Sequence, residues 1–539
     1  MSSFKIIETV PSDLNFKPQY STGKVLIDEI NNSKDSIYLT AMYWSLIACP
    51  PENISDYKKT PIPYGNKCPQ DPSFTPSKLQ SLGSDIGREL FCALRDSIIR
   101  GVNVYIISGR GFGGVSEDKI LQQAVSPNPK GSIHLYDINT LNWWGGGIFH
   151  QKLWVFDKKS IYVGSANMDW KSLAQVKELG IIVNNTDMSQ DLLNYWKTWQ
   201  ELSKLSSTKY SMQFLDPIYG VNRNAPSWSP DIPQKKLSST PLLSSGSKYN
   251  TENPYSGSSN QIGNSFISGC PISMCVPYTK NNGGMRTYDQ DGIIYTIRQA
   301  KKTVCISVMD FCPTSIYFPE FQIWWSSFYD AILNAVITRK LDVKILYSNW
   351  AYSPHNEEGY FKSLLSLVKN CKIAQNDGNW SGSAGDGKVN CDVTPSPCFP
   401  GKISCGNLEI KYIEIPGWDK TSGKNPEYTN HSRVNHTKYL VTDNRINIGT
   451  SNWTWGYFYN TAGSSFNSDN KSMVKTLQNI FNRDWNSKYS NLIENLSLIE
   501  NFQNVTKNSE NYNKILLPVL IVVCVCLFFT IILLIIALK

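Results

Sequence analysis

Residues 25–44, VLIDEINNSKDSIYLTAMYW, space their apolar side chains as a helix does and then run into a β-rich stretch. Residues 292–311, GIIYTIRQAKKTVCISVMDF, repeat that order at the same length. A second pair follows. ALRDSIIRGVNVYIIS (93–108) parallels ILNAVITRKLDVKILYS (332–348), again a helix feeding a strand, with Arg100, Val104 and Ile106 answering Arg339, Val343 and Ile345. A chain that repeats one plan folds as two copies of it. Alternating helix and strand predicts an α/β sandwich around a β-sheet in each copy, the two homologous lobes packing about a pseudo-twofold axis. Length agrees, because 539 residues exceed one ordinary core, and 41% apolar with 12% aromatic residues is ample for two.

Composition marks the boundaries. A first lobe is expected over 1–223, a Ser-, Pro- and Asn-rich linker over 224–284, and a second lobe over 285–490, interrupted by a cysteine-tied excursion at about 375–405. A polar stalk (491–514) then leads to Ile515–Leu538, 24 mostly apolar residues between Lys514 and Lys539. As a helix this run spans about 36 Å, enough for a hydrocarbon core of about 30 Å, so a single-pass C-terminal membrane anchor is expected. The first residues show no apolar signal-peptide core. Cys49 and Cys68 bracket a Pro-rich insertion, Cys371, Cys391, Cys398 and Cys405 punctuate the excursion, and glycosylation sequons occur at Asn53, Asn379 and Asn504. These favour disulfides and a lumenal or extracellular body. The formal charge of +8 suits a phosphate-bearing partner or an anionic surface.

The duplication reaches the chemistry. FHQKLWVFDKKSIYVGSANMDW (149–170) and NHTKYLVTDNRINIGTSNWTW (435–455) both read H-x-K-x4-D: His150, Lys152 and Asp157 in one, His436, Lys438 and Asp443 in the other. Each is followed by a Gly-Ser/Thr-x-Asn turn ending at Asn167 or Asn452. With only five histidines in the chain, a chance match of both partners at two of them is on the order of one in a thousand. Residues two apart in a strand share a face, so each histidine points with its lysine. Asp157, third member of its candidate catalytic set, falls on the opposite face or past the strand end and is expected to be structural or orienting before chemical. Two imidazoles and two ammonium groups converging on one point suit a tetrahedral phosphate, with Asn167 and Asn452 as further donors. One histidine attacks phosphorus to give a phosphohistidine; the other protonates the leaving oxygen and then activates water. No metal or other cofactor is expected, since the clustered carboxylates of a two-metal site are absent.

These segments resemble the duplicated HKD motif of the phospholipase D superfamily. SANMDWKSLAQVKELG (165–180), YWSL (43–46) and GTSNW (449–453) are similar to the branch of animal endolysosomal phospholipase D-like proteins. The resemblance implies that His150, Lys152, Asn167, His436, Lys438 and Asn452 surround the reacting phosphorus and that Glu178 orients a catalytic histidine; the sequence leaves open which histidine is the nucleophile, with family habit leaning toward His150. No second orienting acid follows His436, where Asn460 stands and the next acid is Asp469. A phospholipid is the expected substrate, reached from the membrane by an aromatic mouth drawn from Trp143, Trp144 and Trp455. A single-stranded nucleic acid, its bases stacked on those same aromatics, is the alternative. A tethered binding module without activity is disfavoured by the intact motifs. His134, His355 and His431 have no matching partners and receive no role.

Overall fold

The computed structural model describes residues 3–111, 115–141, 143, 147–206, 265–271, 286–316, 323–354, 356–376, 405–417 and 427–493. The expected anchor, most of the stalk, most of the linker and the excursion lie outside them. Among the described residues no helix is long and apolar enough to cross a membrane.

The first half supplies β1 (Ser3–Thr9), β2 (Ser36–Ala41), β3 (Trp44–Ser45), β4 (Asn103–Gly109), β5 (Ile133–Ile138), β6 (Leu153–Phe156), β7 (Ser160–Gly164), β8 (Met168–Asp169) and β9 (Glu178–Asn184). The second supplies β10 (Phe266–Cys270), β11 (Thr303–Val308), β12 (Phe311–Cys312), β13 (Asp342–Ser348), β14 (Asn407–Ile413), β15 (Tyr439–Thr442), β16 (Ile446–Gly449), β17 (Trp453–Thr454), β18 (Gly463–Ser468) and β19 (Ser490–Leu492). One sheet runs β1-β9-β7-β6-β2-β4-β5 and the other β10-β18-β16-β15-β11-β13-β14-β19. The orders superpose strand for strand, with β19 as an addition. In both, the middle strand pairs in parallel with the strand after its crossover helix and antiparallel with the strand that follows the histidine and lysine. The small parallel pairs β3/β8 and β12/β17 also answer each other.

Local chemistry explains the repeat. The Thr22–Asn32 and Asp289–Gln299 helices each end against an arginine from the next crossover. Arg100 donates to the carbonyls of Asn31 (3.0 Å) and Ser33 (3.2 Å), and Arg339 to those of Ile297 (3.0 Å) and Ala300. A cation there satisfies orphan carbonyls and the negative end of the helix dipole. The chain then turns sharply into the next strand through Gly101 (φ 125°) in one lobe and Lys340 (φ 59°) in the other.

Two expectations need correction. The linker assigned to 224–284 contains β10, an edge strand pairing with β18; its sequence FISGC is too short and too broken by Ser and Gly to show alternation. Likewise the stalk assigned from 491 begins inside β19, which pairs with β14. Disulfides join Cys49 to Cys68 and Cys371 to Cys405.

Both lobes belong to one unit, Met1–Leu492. β7 and β9 of the first sheet pack on β16 and β18 of the second. Reciprocal bridges join them, Phe149 to Ala462 and Lys177 to Asn435, and counting on from the two motifs makes these the same bridge seen from either lobe. Such reciprocity is what a twofold relation between homologous copies generates. Buried charges lock the seam. Lys177 Nζ lies 2.6 Å from Asp484 Oδ2 with both side chains fully buried, and Arg286 meets Asp191 at 2.9 Å. Arg483 binds both Glu8 of β1 (2.5 and 3.0 Å) and Asp484 (2.8 Å).

Candidate active site

The reciprocal bridges bring the two motifs face to face. His150 donates its backbone N–H to Ala462 (3.0 Å), and His436 donates to Lys177 (2.8 Å). Each histidine is thereby hung from the other lobe just before its own antiparallel strand. The lysines repeat one geometry. Lys152 Nζ donates to the His150 carbonyl (3.2 Å) and sits 3.9 Å from Met42 Sδ; Lys438 Nζ donates to the His436 carbonyl (2.7 Å) and sits 4.0 Å from Met309 Sδ. His150, Lys152 and Lys438 are 2–3% exposed and the His436 side chain 13%, and the four groups lie in electrostatic contact.

Burial and mutual repulsion lower the proton affinity of this cluster. The His150 imidazole is driven well below its usual range by burial, then by Lys152, Lys438 and His436. Lys152 is likewise lowered by burial and Lys438. Burial lowers Lys438 to about 7 against the pull of Glu178 and Asp310, and His436 to about 4 against the pull of Glu178. An anion beside these groups would raise the proton affinity of each.

The histidines differ in one respect. Glu178 Oε2 lies 2.8 Å from His436 Nδ1, and despite its burial the His436 and Lys438 charges keep this carboxyl below its usual range. A proton on Nδ1 donates to this carboxylate, which leaves Nε2 as the ring nitrogen not engaged by Glu178. His150 has no such partner: its Nδ1 lacks one among the described residues, and the Thr450 main chain alone favours its charged form. The position answering Glu178 is Gly463, not Asn460 as the sequence suggested. A side chain there would come within 3 Å of Ser451 Oγ, Thr450 Oγ1 and Cys270 Sγ, so an acid would fit only if these side chains moved. Tyr457 instead packs edge-on against His150, ring centroids 5.1 Å apart.

Other expected residues stand elsewhere. Asp157 accepts the backbone N–H groups of Lys34 (2.9 Å), Asp35 (2.8 Å) and Ser36 (3.0 Å), and Asp443 those of Lys301 (2.9 Å), Lys302 (3.0 Å) and Thr303 (3.2 Å). Both aspartates thus anchor the turn into the middle strand of their sheet, at the far end of the motif strand from the histidine, which corrects their inclusion in the catalytic set. Asn452 is at the site, but its amide nitrogen is spent on Asp310 Oδ2 (2.6 Å) and the Tyr457 hydroxyl (3.4 Å). Asn167 reaches the Tyr43 hydroxyl. Trp143 and Trp455 are fully buried and line no mouth; Trp144 lies outside the described residues. Sequence reasoning missed Asp310, which stands in the second lobe where the first has Tyr43, and Lys177, whose only signal is its place before Glu178. Among the described residues no group of His, Cys, Asp and Glu could hold a metal ion.

Comparison with known proteins agrees with this geometry. The family described as "PLD3/4, PLD-like domain" matches residues 85–225 and 253–375. A probable phospholipase D of Caenorhabditis elegans is 28% identical over 490 residues, covering 90% of this chain and 70% of that one. The virion nicking-joining enzyme of Vaccinia virus (strain Western Reserve) is 28% identical over 491 residues, covering 90% and 88%. The 5'-3' exonuclease PLD3 of Xenopus laevis is 27% identical over 506 residues, covering 92% and 82%. The chain belongs to the phospholipase D superfamily, in the PLD3-like branch.

Proposed function

We propose that this protein is a phosphodiester hydrolase acting through a phosphohistidine on His150, with single-stranded nucleic acid as its substrate. The observation that carries the reading is the buried cluster of His150, Lys152, His436 and Lys438 with a carboxylate behind only one imidazole. A bound phosphodiester supplies the missing anion. Lys152 and Lys438 neutralise its non-bridging oxygens. The imidazole better able to hold a proton is His436, because the Glu178 charge stabilises its cation. His150 therefore attacks: its ring nitrogen forms the P–N bond as the P–O bond to the leaving group breaks, and His436 Nε2–H protonates the departing oxygen. Water then adds to phosphorus, giving its proton back to His436, and the P–N bond breaks.

The substrate choice draws on two supports. Trp143 and Trp455, which carried the expectation of a lipid-facing mouth, are interior residues. Relatives across most of the chain include proteins named as an exonuclease and a nicking-joining enzyme. The two disulfides support maturation in an oxidising compartment.

Activity requires a charged Lys438, whose proton is lost as pH rises through about 7. The value of kcat/KM on a 5′-hydroxyl oligonucleotide, which reports the free enzyme, is therefore expected to be highest in acid and to fall as pH rises, first as His436 loses its proton above about 4 and more steeply as Lys438 loses its own above about 7. A profile still rising past about pH 8 contradicts the assignment, and release of choline from phosphatidylcholine without any nucleotide release assigns the site to lipid.

A further inference from the structure

A small aromatic group beside the site is not used by the chemistry above. Trp350, Val434 and Val176 form a buried cluster against which Met309 packs, and Met309 is the residue whose sulfur touches Lys438. Tyr352 packs edge-on against Trp350, ring centroids 4.9 Å apart, and lies flat on His431 at 4.6 Å with 20° between planes. Tyr352 is 47% exposed and His431 is exposed as well. Val434 stands two residues, at most about 7 Å of chain, from His436. The exposed stack is one side chain further out.

The stack is held before any ligand arrives. His431 and Arg433 both take left-handed backbone (φ 57° and 56°), a conformation that costs free energy unless its surroundings fix it. What fixes it is Arg433, fully buried, which donates to both carboxylate oxygens of Asp13 (2.8 and 2.6 Å) and to Pro416 (2.5 Å), and stacks over Tyr428. Lys171 donates to Asn430 (3.5 Å), one residue before His431. Its charge, after burial, keeps the His431 ring below its usual range.

We propose that Tyr352 and His431 form a base-stacking subsite for a nucleotide flanking the scissile phosphate. The inference rests on the phosphodiesterase reading of the His150–His436 site and deepens its substrate class. A flat, exposed ring pair matches the π-face of an unpaired base, and stacking of this kind tolerates any base while excluding a paired duplex. A quaternary ammonium headgroup calls instead for aromatic faces converging around the cation, whereas these two rings lie flat on each other. His431, given no role from sequence, thus acquires one through its neighbours.

The test compares one oligonucleotide with its counterpart carrying an abasic residue at either position flanking the cleaved bond, using the full chain. Wild type is expected to prefer the intact strand by about tenfold in kcat/KM, the factor one stacked base commonly contributes. Tyr352→Ala should reduce that ratio to about one, and Tyr352→Phe should restore it. A wild-type ratio of one, or a Tyr352→Ala ratio still near ten, overturns the subsite while leaving the hydrolase intact. Loss of phosphatidylcholine cleavage in Tyr352→Ala, with the oligonucleotide ratio unchanged, transfers the stack to a lipid headgroup and overturns it too. Failure of wild type to cleave either diester refutes the function itself.

Discussion

Replacing His150 with Ala is expected to lower kcat on any true phosphodiester substrate by at least about 10⁴-fold, with the far-ultraviolet circular dichroism of the protein unchanged. The magnitude follows from the loss of a nucleophile in a site whose parts act as a unit. The structure gives a reason for the fold to survive: the His150 ring makes one edge-on contact with Tyr457, no hydrogen bond at Nδ1, and a single hydrogen bond to the Thr450 main chain, so its removal costs little beyond that bond. Glu178→Gln should cost less, because the imidazole stays in place and only the charge that stabilises its cation is lost. A His150→Ala protein that retains even a hundredth of wild-type kcat removes this residue from the chemistry.

The second large effect concerns stability. Lys177 and Asp484 meet at 2.6 Å with neither side chain exposed. Asp484→Asn leaves an ammonium group buried beside a neutral amide, and breaking such a pair from one side costs about 3–5 kcal/mol. That should appear as a marked fall in the urea midpoint. The double substitution Lys177→Met with Asp484→Leu should recover part of the loss, since no buried ammonium is left unpaired and Arg483, though it loses Asp484, keeps Glu8. A single-variant loss below about 1 kcal/mol would mean that water reaches the pair. The effect extends to the site, because the Lys177 main chain holds Asn435 and His436, and the next residue is Glu178.

Much of this architecture was legible because it is written twice. The helix-then-strand order of 25–44 and 292–311 appears as Thr22–Asn32 with β2 and Asp289–Gln299 with β11, and Arg100 and Arg339 repeat because each caps the helix before it. Strand alternation was enough to separate His150 and Lys152 from Asp157. What was not legible depends on contacts between lobes. Nothing local to Glu178 says that its partner is His436, 258 residues away, and nothing near His150 says that Gly463 closes the equivalent place. Trp143 and Trp455 were misread because an aromatic residue at a motif's end has the same composition whether it faces solvent or core. Asn452 looked like a free donor because Asp310, which engages its amide, sits in another segment. β10 was missed because an edge strand of five residues containing Ser and Gly carries little periodicity.

The asymmetry between the two imidazoles decides which of them bonds to phosphorus, and that can be observed directly. A diester carrying ³²P at the scissile phosphate is mixed with the wild-type protein, in which both imidazoles are present, and the reaction is quenched within the first turnover in alkali, where phosphohistidine survives. Peptide mapping by mass spectrometry is expected to find the label on His150. Label on His436, Lys152 or Lys438, or no covalent label at any time within a turnover, would contradict the account.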